Sequence, residues 1–479
     1  MRPEIVMRYL GFILLFNALF LFISSVISRV HGDSSFYSLI FSATVVFLFG
    51  IFPLIFVPST EKITNEEGLF IVVFGWILSC LVGVIPYMLW GEPFSFTNAW
   101  FESVSGFTTT GSSILSDIES VPKGLLFWRA GTHWLGGVGI IVFVLAVMPS
   151  MGPAAMILYR SETSDLAINN FRYRTQKTLM IILYVYVGLT ALETIALSCL
   201  GLSLFDAVTH SFATIATGGF STKNASVAHF NSPAVESIIM IFMLLSGIHF
   251  GLLFLFVTGT FRKLYESTMV RYYVVAILLG VSVIAANLYG GFYGKLTDAL
   301  RYSAFQVISI GTSTGFANAD SSVWPPLSQL VLLFFTLQCA CAGSTSGGIK
   351  VDRIVLFGKA LRRRIFNLLH PKGVFVIKLG GTAIDDPVIE SALVYILLYM
   401  GILLASTLCI TAFGVDLLTA FSGAAAAMGN VGPGFGLVGS MNNYGQLSDP
   451  VKWILTVDML LGRLEIYALV LFITIRRWK

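Results

Sequence analysis

Charge is scarce in this sequence. Only 11% of its 479 residues are Asp, Glu, Lys or Arg, where a soluble globular protein carries about 25%. That leaves too little polar surface to coat a water-facing domain, which excludes a soluble enzyme and a charge-rich disordered chain. Cysteine is scarce too. The five (Cys80, Cys199, Cys339, Cys341, Cys409) follow no zinc or redox spacing and are too few for a disulfide-stapled domain. All five lie within or beside apolar blocks and read as small packing residues. No P-loop or His-Glu-x-x-His occurs, so ATP hydrolysis and zinc-hydrolase chemistry are not expected, and the chain reads as no enzyme. Short alternating strands of a transmembrane barrel are missing as well. The first apolar block is too long for a signal-peptide core and has no small-residue cleavage site, so it reads as a retained helix.

What is present is apolar. Hydrophobic residues make up 56% of the chain and the mean hydropathy is +0.85. A helix needs roughly 20 mostly apolar residues to cross the hydrocarbon layer. Hydropathy predicts ten such spans, at 5–28, 36–57, 68–90, 125–149, 176–200, 234–260, 270–290, 327–357, 388–413 and 451–475. The fold class is therefore an all-α polytopic membrane protein. With both termini on the cytoplasmic side, 21 of the 29 Lys and Arg residues fall inside, as the positive-inside rule requires.

Four segments on the outer side are apolar where a loop should be polar: 96–112, 204–219, 296–316 and 416–433. Each is long enough to enter the membrane as a helix without crossing it, and each ends in small residues and glycine. The ends read Thr109-Thr110-Gly111, Ala216-Thr217-Gly218, Ser313-Thr314-Gly315 and Asn430-Val431-Gly432. Their last glycines are separated by 107, 97 and 117 residues. The chain thus divides into an N-terminal helix pair, 1–60, and four span, re-entrant helix, span units. These are 61–160, 161–265, 266–380 with an intramembrane gating loop, and 381–479.

Non-helical backbone at membrane depth survives only where protein buries it or where it lines a water-filled path. Four such turns around one central path could stack carbonyl rings that replace the hydration shell of a monovalent cation. Unaided transfer of such an ion into low dielectric costs on the order of 20 kcal/mol. Glycine permits the backbone angles this requires. Each re-entrant helix also turns the negative end of its dipole toward the ion. Tight turns between packing helices are the plainer reading.

On these residues the sequence resembles the superfamily of potassium transporters that includes the Trk, Ktr and HKT proteins, and the TrkH type most. The motifs Trp128-Arg129-Ala130-Gly131-Thr132-His133-Trp134-Leu135-Gly136-Gly137, Gly343-Ser344-Thr345-Ser346-Gly347-Gly348-Ile349-Lys350 and Met459-Leu460-Leu461-Gly462-Arg463-Leu464-Glu465 carry it outside the four turns. The resemblance covers essentially the whole chain. It implies four fused channel-like units, potassium bound as substrate at the twelve turn residues named above, and no covalently bound cofactor. It also implies a cytosolic nucleotide-binding ring of the TrkA kind as regulator, a homodimer, and a bacterial cytoplasmic (inner) membrane location. No nucleic-acid partner is expected. Glycine at position 111 goes with potassium preference in this family, and serine there with sodium transport. The fourth turn departs from Thr-x-Gly, which resembles the irregular fourth unit of the family.

Two further places are gate candidates. Gly343, Ser344, Thr345, Ser346, Gly347 and Gly348 should unwind span 8 near mid-depth, since glycine in a helix costs about 1 kcal/mol against alanine. The family implies a loop that obstructs the path beneath the turns, while a repaired kink is the structural reading. Lys350 reads either as an ordinary cytoplasmic-side lysine or as a charge repelling cations in the inner vestibule. Arg463, placed near the middle of span 10, needs a partner or water. Helical arithmetic sets it about 140° from Asp458 and about 160° from Glu465. It therefore faces the path or a neighbouring unit, or serves as an interhelical structural arginine. Glu102 lies close to the first turn, to support it or attract cations. His133, His210 and His249 give no clear facing pair for haem and read as structural. The basic segment 359–378 reads as a loop that sets topology and attracts anionic lipid, or that docks the regulator. The competing function is a secondary carrier of another small solute or a sodium-permeable transporter. A carrier predicts one midplane pocket rather than four equivalent turns.

Overall fold

The structure, a computed structural model, describes residues 2–58, 64–147, 171–379 and 382–466. Lys62, Arg160, Arg476, Arg477 and Lys479 lie outside these residues, as do the expected joints at 60/61, 160/161 and 380/381. The joint at 265/266 falls inside the short helix Arg262–Glu266, and the next span is capped by the Ser267 hydroxyl.

Two long helices, Pro3–His31 and Phe36–Phe56, open the chain as an antiparallel pair. They meet through glycines: a Cβ on Gly11 would stand 2.7 Å from the Gly50 carbonyl oxygen. Small residues of this kind let membrane helices approach backbone to backbone.

A pattern of helix, short helix, turn and helix then recurs four times. The long first helices are Asn65–Trp90, Phe171–Cys199, Thr268–Leu288 and Asp386–Ala412. The short ones are Phe96–Phe107, Leu204–Ile215, Leu296–Gly311 and Leu417–Gly429. Three of the short helices start where the sequence supplies an N-cap oxygen. Ser95 accepts the amide of Asn98, Ser203 that of Asp206, and Asp416 that of Thr419. At 12 to 16 residues they are too short to span.

The returning helices are where expectation and structure part. Lys123–Val147 matches span 4 as far as it is described. Span 6 is not one helix: Pro233–Ser246 and Phe250–Val257 meet at 108°. Span 8 breaks over 338–350, between Pro326–Leu337 and Val351–Leu369, a wider interruption than 342–348. Span 10 is described as the helix Asp449–Arg463 and a turn as far as Ile466, and its expected remainder, 467–475, lies outside the described residues. Among the described residues, six helices are long and apolar enough to cross a membrane, or seven with the bent pair. The chain is a multi-pass membrane protein.

The basic segment is no loop over its first half. Lys359, Arg362, Arg363 and Arg364 sit on the helix Val351–Leu369, which also exposes Phe357, Leu361, Ile365, Leu368 and Leu369. Charge density suggested a loop, but the 3.6-residue spacing of the apolar positions makes an amphipathic helix. Two cysteines correct the packing expectation. Cys80, Cys339 and Cys341 are buried, whereas Cys199 and Cys409 are exposed.

Candidate functional site

The four short helices end alike. In each turn one residue, Thr110, Gly218, Thr314 or Val431, gives its amide to the carbonyl five residues back, on Ser105, Ala213, Ser309 and Ala426. The residue before it is left-handed in every case: Thr109 (φ 52°), Thr217 (53°), Ser313 (57°) and Asn430 (50°). Such a backbone costs a non-glycine residue about 1–2 kcal/mol and persists only where its surroundings enforce it. The residue after it is a left-handed glycine: Gly111, Gly219, Gly315 and Gly432.

This register corrects the second unit. The sequence aligned Ala216-Thr217-Gly218 with the other turns, but the left-handed glycine is Gly219 and Ala216 is the helix C-cap. The adjacent Gly218-Gly219 pair left the sequence alignment free to slip by one. The equivalent triplet is Thr217-Gly218-Gly219.

The glycines show how the turns meet. A Cβ on Gly111 would stand 2.1 Å from the Gly218 carbonyl oxygen, and one on Gly219 2.0 Å from that of Thr314. One on Gly315 would stand 2.0 Å from that of Val431, and one on Gly432 2.6 Å from that of Thr110. Unit 1 thus leans on unit 2, 2 on 3, 3 on 4 and 4 on 1. The contact closes on itself, so the four turns encircle one axis with backbone against backbone.

Side chains buttress this ring from outside. Glu102 is fully buried and its oxygens are taken by Arg129 Nε (2.5 Å), Ser113 Oγ (3.0 Å) and the Ile114 amide (3.0 Å). It therefore holds the strand leaving the first turn. Arg129 also donates to the Ser221 carbonyl (3.0 Å) beyond the second turn and lies 3.4 Å from the Phe220 ring centre. Glu236 takes two hydrogen bonds from Arg301 and one from Asn318, tying units 2 and 3. The Gly432 carbonyl accepts from Tyr444 (2.6 Å) and Ser112 (3.1 Å). His133 stacks on Phe220 at 4.0 Å, and a Cβ on Gly218 would collide with its ring at 2.3 Å. His210 bonds the Asp206 carbonyl and Ser221 Oγ.

The break over 338–350 lies against the inner ends of the short helices. Thr345 Oγ1 donates to the Ile215 carbonyl in unit 2 (3.0 Å), and the Gly347 amide donates to Ser313 Oγ in unit 3 (3.1 Å). In unit 4, Gly348 packs against Gly429, and a Cβ on Gly347 would stand 2.5 Å from Asn430 Oδ1. Arg463 links the loop to unit 1: it donates to the Thr345 carbonyl (2.7 Å) and the Gly136 carbonyl (3.1 Å). Ser344 Oγ lies 2.9 Å from Ser346 Oγ, and Lys350 folds back onto the Ser346 carbonyl and hydroxyl. Lys350 is buried, so it is not an ordinary exposed lysine.

Arg463 is the last residue of its helix rather than the middle of one. The chain turns at once, with Glu465 at φ 51°, so the helical angle of about 160° between Arg463 and Glu465 does not hold. Asp458 accepts from Ser406 (2.7 Å), and Glu465 pairs with Arg353 (2.5 Å).

The bent second unit receives the loop. The Cys341 amide donates to the Gly247 carbonyl (3.1 Å), and the Phe250 amide to the Gly343 carbonyl (3.3 Å). A Cβ on Gly343 would stand 2.1 Å from the His249 ring. His249 Nδ1 caps the second half-helix by accepting from Gly251. The weak mark of this bend in the sequence is Gly247-Ile248-His249 inside an apolar run.

At the surface, Asn224 bridges the first two units by donating to Asp117 Oδ1 (2.9 Å) and accepting from the Ile118 amide (2.6 Å). The Asn224 amide group holds the Asp117 carboxyl below its ordinary value. The Thr419 hydroxyl and amide do the same for Asp416.

The sequence profile of the TrkH family, described as a cation transport protein, matches residues 40–279 and 293–477. The Trk system potassium uptake protein TrkH of Salmonella typhimurium is 37% identical, over 87% of each chain. That of Escherichia coli is 34% identical over 100% of both. The crystal structure of the potassium transporter TrkH from Vibrio parahaemolyticus superposes with a TM-score of 0.90 at 31% identity, covering 100% of both chains.

Proposed function

The chain belongs to the TrkH family of cation transport proteins, and on that premise we propose how it takes up potassium as a transporter rather than an enzyme. Potassium passes along the axis of the four turns. The carbonyls of Thr110, Gly218, Thr314 and Val431, with those of the flanking turn residues, replace its water. The observation that carries this reading is the cyclic contact of Gly111, Gly219, Gly315 and Gly432 with those four carbonyls. A solute carrier needs no such ring.

The repeats run over 61–160, 161–265, 266–380 and 381–479, after the pair in 1–60. The loop from Gly343 to Gly348 closes the inner end of the path, and Arg463 and Lys350 hold it there. Arg463 fastens it to the first unit, and its charge opposes a cation beneath the turns. The protein resides in a bacterial cytoplasmic membrane with both termini inside. It works as a homodimer whose inner face, including the basic helix Val351–Leu369, meets a TrkA-like nucleotide-binding ring.

The test is expression in a bacterium stripped of its own potassium uptake. Growth at low potassium together with rubidium accumulation is expected, with sodium accumulating less. Growth rescue without rubidium uptake, or equal uptake of sodium, would overturn the reading.

A further inference from the structure

This inference rests on the potassium reading and deepens it. A backbone carbonyl has two lone pairs, and it can serve a dehydrated ion only with one that no donor holds. In each turn the left-handed glycine carries the last carbonyl, on the side away from the loop 343–348, whose contacts end at Ser313 and Asn430. Among the described residues, the carbonyls of Gly111, Gly219 and Gly315 accept no hydrogen bond. That of Gly432 accepts two, from the Tyr444 hydroxyl at 2.6 Å and the Ser112 hydroxyl at 3.1 Å. Both of its lone pairs are taken.

The backbone departs at the same place. Gly432 has φ 98°, against 82°, 77° and 81° at Gly111, Gly219 and Gly315. A Cβ on it would stand 2.6 Å from the carbonyl it leans on, whereas the other three joints leave 2.0–2.1 Å. The two donors are anchored independently of Gly432. Tyr444 is 2% exposed, its amide donates to the Ser113 carbonyl at 2.8 Å, and its ring centre lies 5.4 Å from that of Phe101. Ser113 is itself tied to Glu102. Ser112 directly follows Gly111, at a position where the other units carry Phe220, Phe316 and Pro433, which have no side-chain donor.

We propose that Tyr444, together with Ser112, is a positioning residue that withdraws the Gly432 carbonyl from the ion path, so that the ring of glycine carbonyls serves potassium from three units and not from the fourth. An ion at this ring keeps water on the side of unit 4, because the carbonyl that would replace that water is held by two hydroxyls. It is bound weakly there and passes on readily to the carbonyls of Thr110, Gly218, Thr314 and Val431. Tyr444 thus sets the apparent affinity for the entering ion without touching it.

The test is the initial rate of rubidium uptake into vesicles containing the full chain, resolved into KM and Vmax per folded protein. Tyr444→Phe keeps the ring and the amide and removes only the hydroxyl. Its KM for rubidium should fall about fivefold, the worth of one hydrogen bond that no longer competes with the ion. Ser112→Ala should lower KM in the same direction, and the double variant further than either. A merely structural tyrosine would instead lower Vmax or raise KM. Asn443→Ala is the control: it removes the acceptor of the Gly445 amide (2.9 Å) and so loosens the same segment while the Gly432 carbonyl stays held, and its KM should match the parent's. An unchanged or raised KM in folded Tyr444→Phe, or an equal fall in Asn443→Ala, would overturn this proposal alone. Absence of uptake by the parent would overturn the transport reading and this one with it. If Tyr444→Phe fails to assemble, the KM of Ser112→Ala decides.

Discussion

At the scale of single residues, the ring rests on four glycines that have no room for a Cβ. Gly111→Ser adds one at φ 82°, 2.1 Å from the Gly218 carbonyl, so the first two turns must separate. Wider spacing suits potassium less. We expect the potassium-over-sodium uptake ratio to fall about tenfold, equivalent to about 1.4 kcal/mol between the two barriers. An unchanged ratio in correctly folded protein would count against the assignment. Gly219→Ala should be at least as damaging, although the sequence drew attention to Gly218. Gly358→Ala is the control: it is helical with nothing within 4 Å, and it should raise thermal stability by up to about 1 kcal/mol without touching flux. Arg463 makes a different prediction. Its bonds to Thr345 and Gly136 fasten the loop, and at about 6 Å and an effective dielectric near 20 its charge opposes a cation by roughly 3 kcal/mol. Arg463→Gln should therefore raise potassium flux per folded protein while keeping selectivity, and a drop in that ratio would refute the role. The glycines and the arginine were legible because both are anomalous in apolar sequence. The partners of Arg463 were not, because they are backbone carbonyls of Thr345 and Gly136, distant in the chain and without any mark in the sequence.

At the scale of elements, long apolar periodicity located the unbroken helices closely, and apolar segments ending in glycine located the four short ones. Breaks were harder to read. The cluster Gly343 to Gly348 announced itself by composition, but the bend after Ser246 shows only one glycine, and an apolar run conceals it. The basic helix Val351–Leu369 misled for the opposite reason, since charge masked its period. The two breaks work as a pair, joined by the hydrogen bonds of Cys341 to Gly247 and Phe250 to Gly343. Gly343→Ala forces a side chain at φ 74° into the His249 ring. Basal rubidium flux should rise several-fold as the loop loses its seat, with selectivity retained because the turns above are untouched. Parental basal flux from a well-folded variant would leave the break a structural kink.

For the whole molecule, the sequence conveyed the membrane class through its long apolar runs, and the expected division into four units is consistent with the recurring helices. Closure of the ring was out of its reach, since it depends on which turn lies against which. The surface around the closed ring is held partly by ionised carboxylates. Asp117 and Asp416 both have depressed values in the fold. A depressed carboxyl adds stability that is fully present above its unfolded value and is lost as pH falls through the folded one. Thermal stability in detergent should therefore hold from neutral pH down to the ordinary carboxylate range near 3.8 and decline below it, and Asp416→Asn should weaken its share of that decline while preserving the cap. The most direct measurement concerns the axis itself. Crystals of the protein in rubidium, examined by anomalous scattering, should show density between the carbonyls of Thr110, Gly218, Thr314 and Val431. Anomalous density confined to the vestibules or the outer surface, with none inside that ring, would contradict a shared ion path.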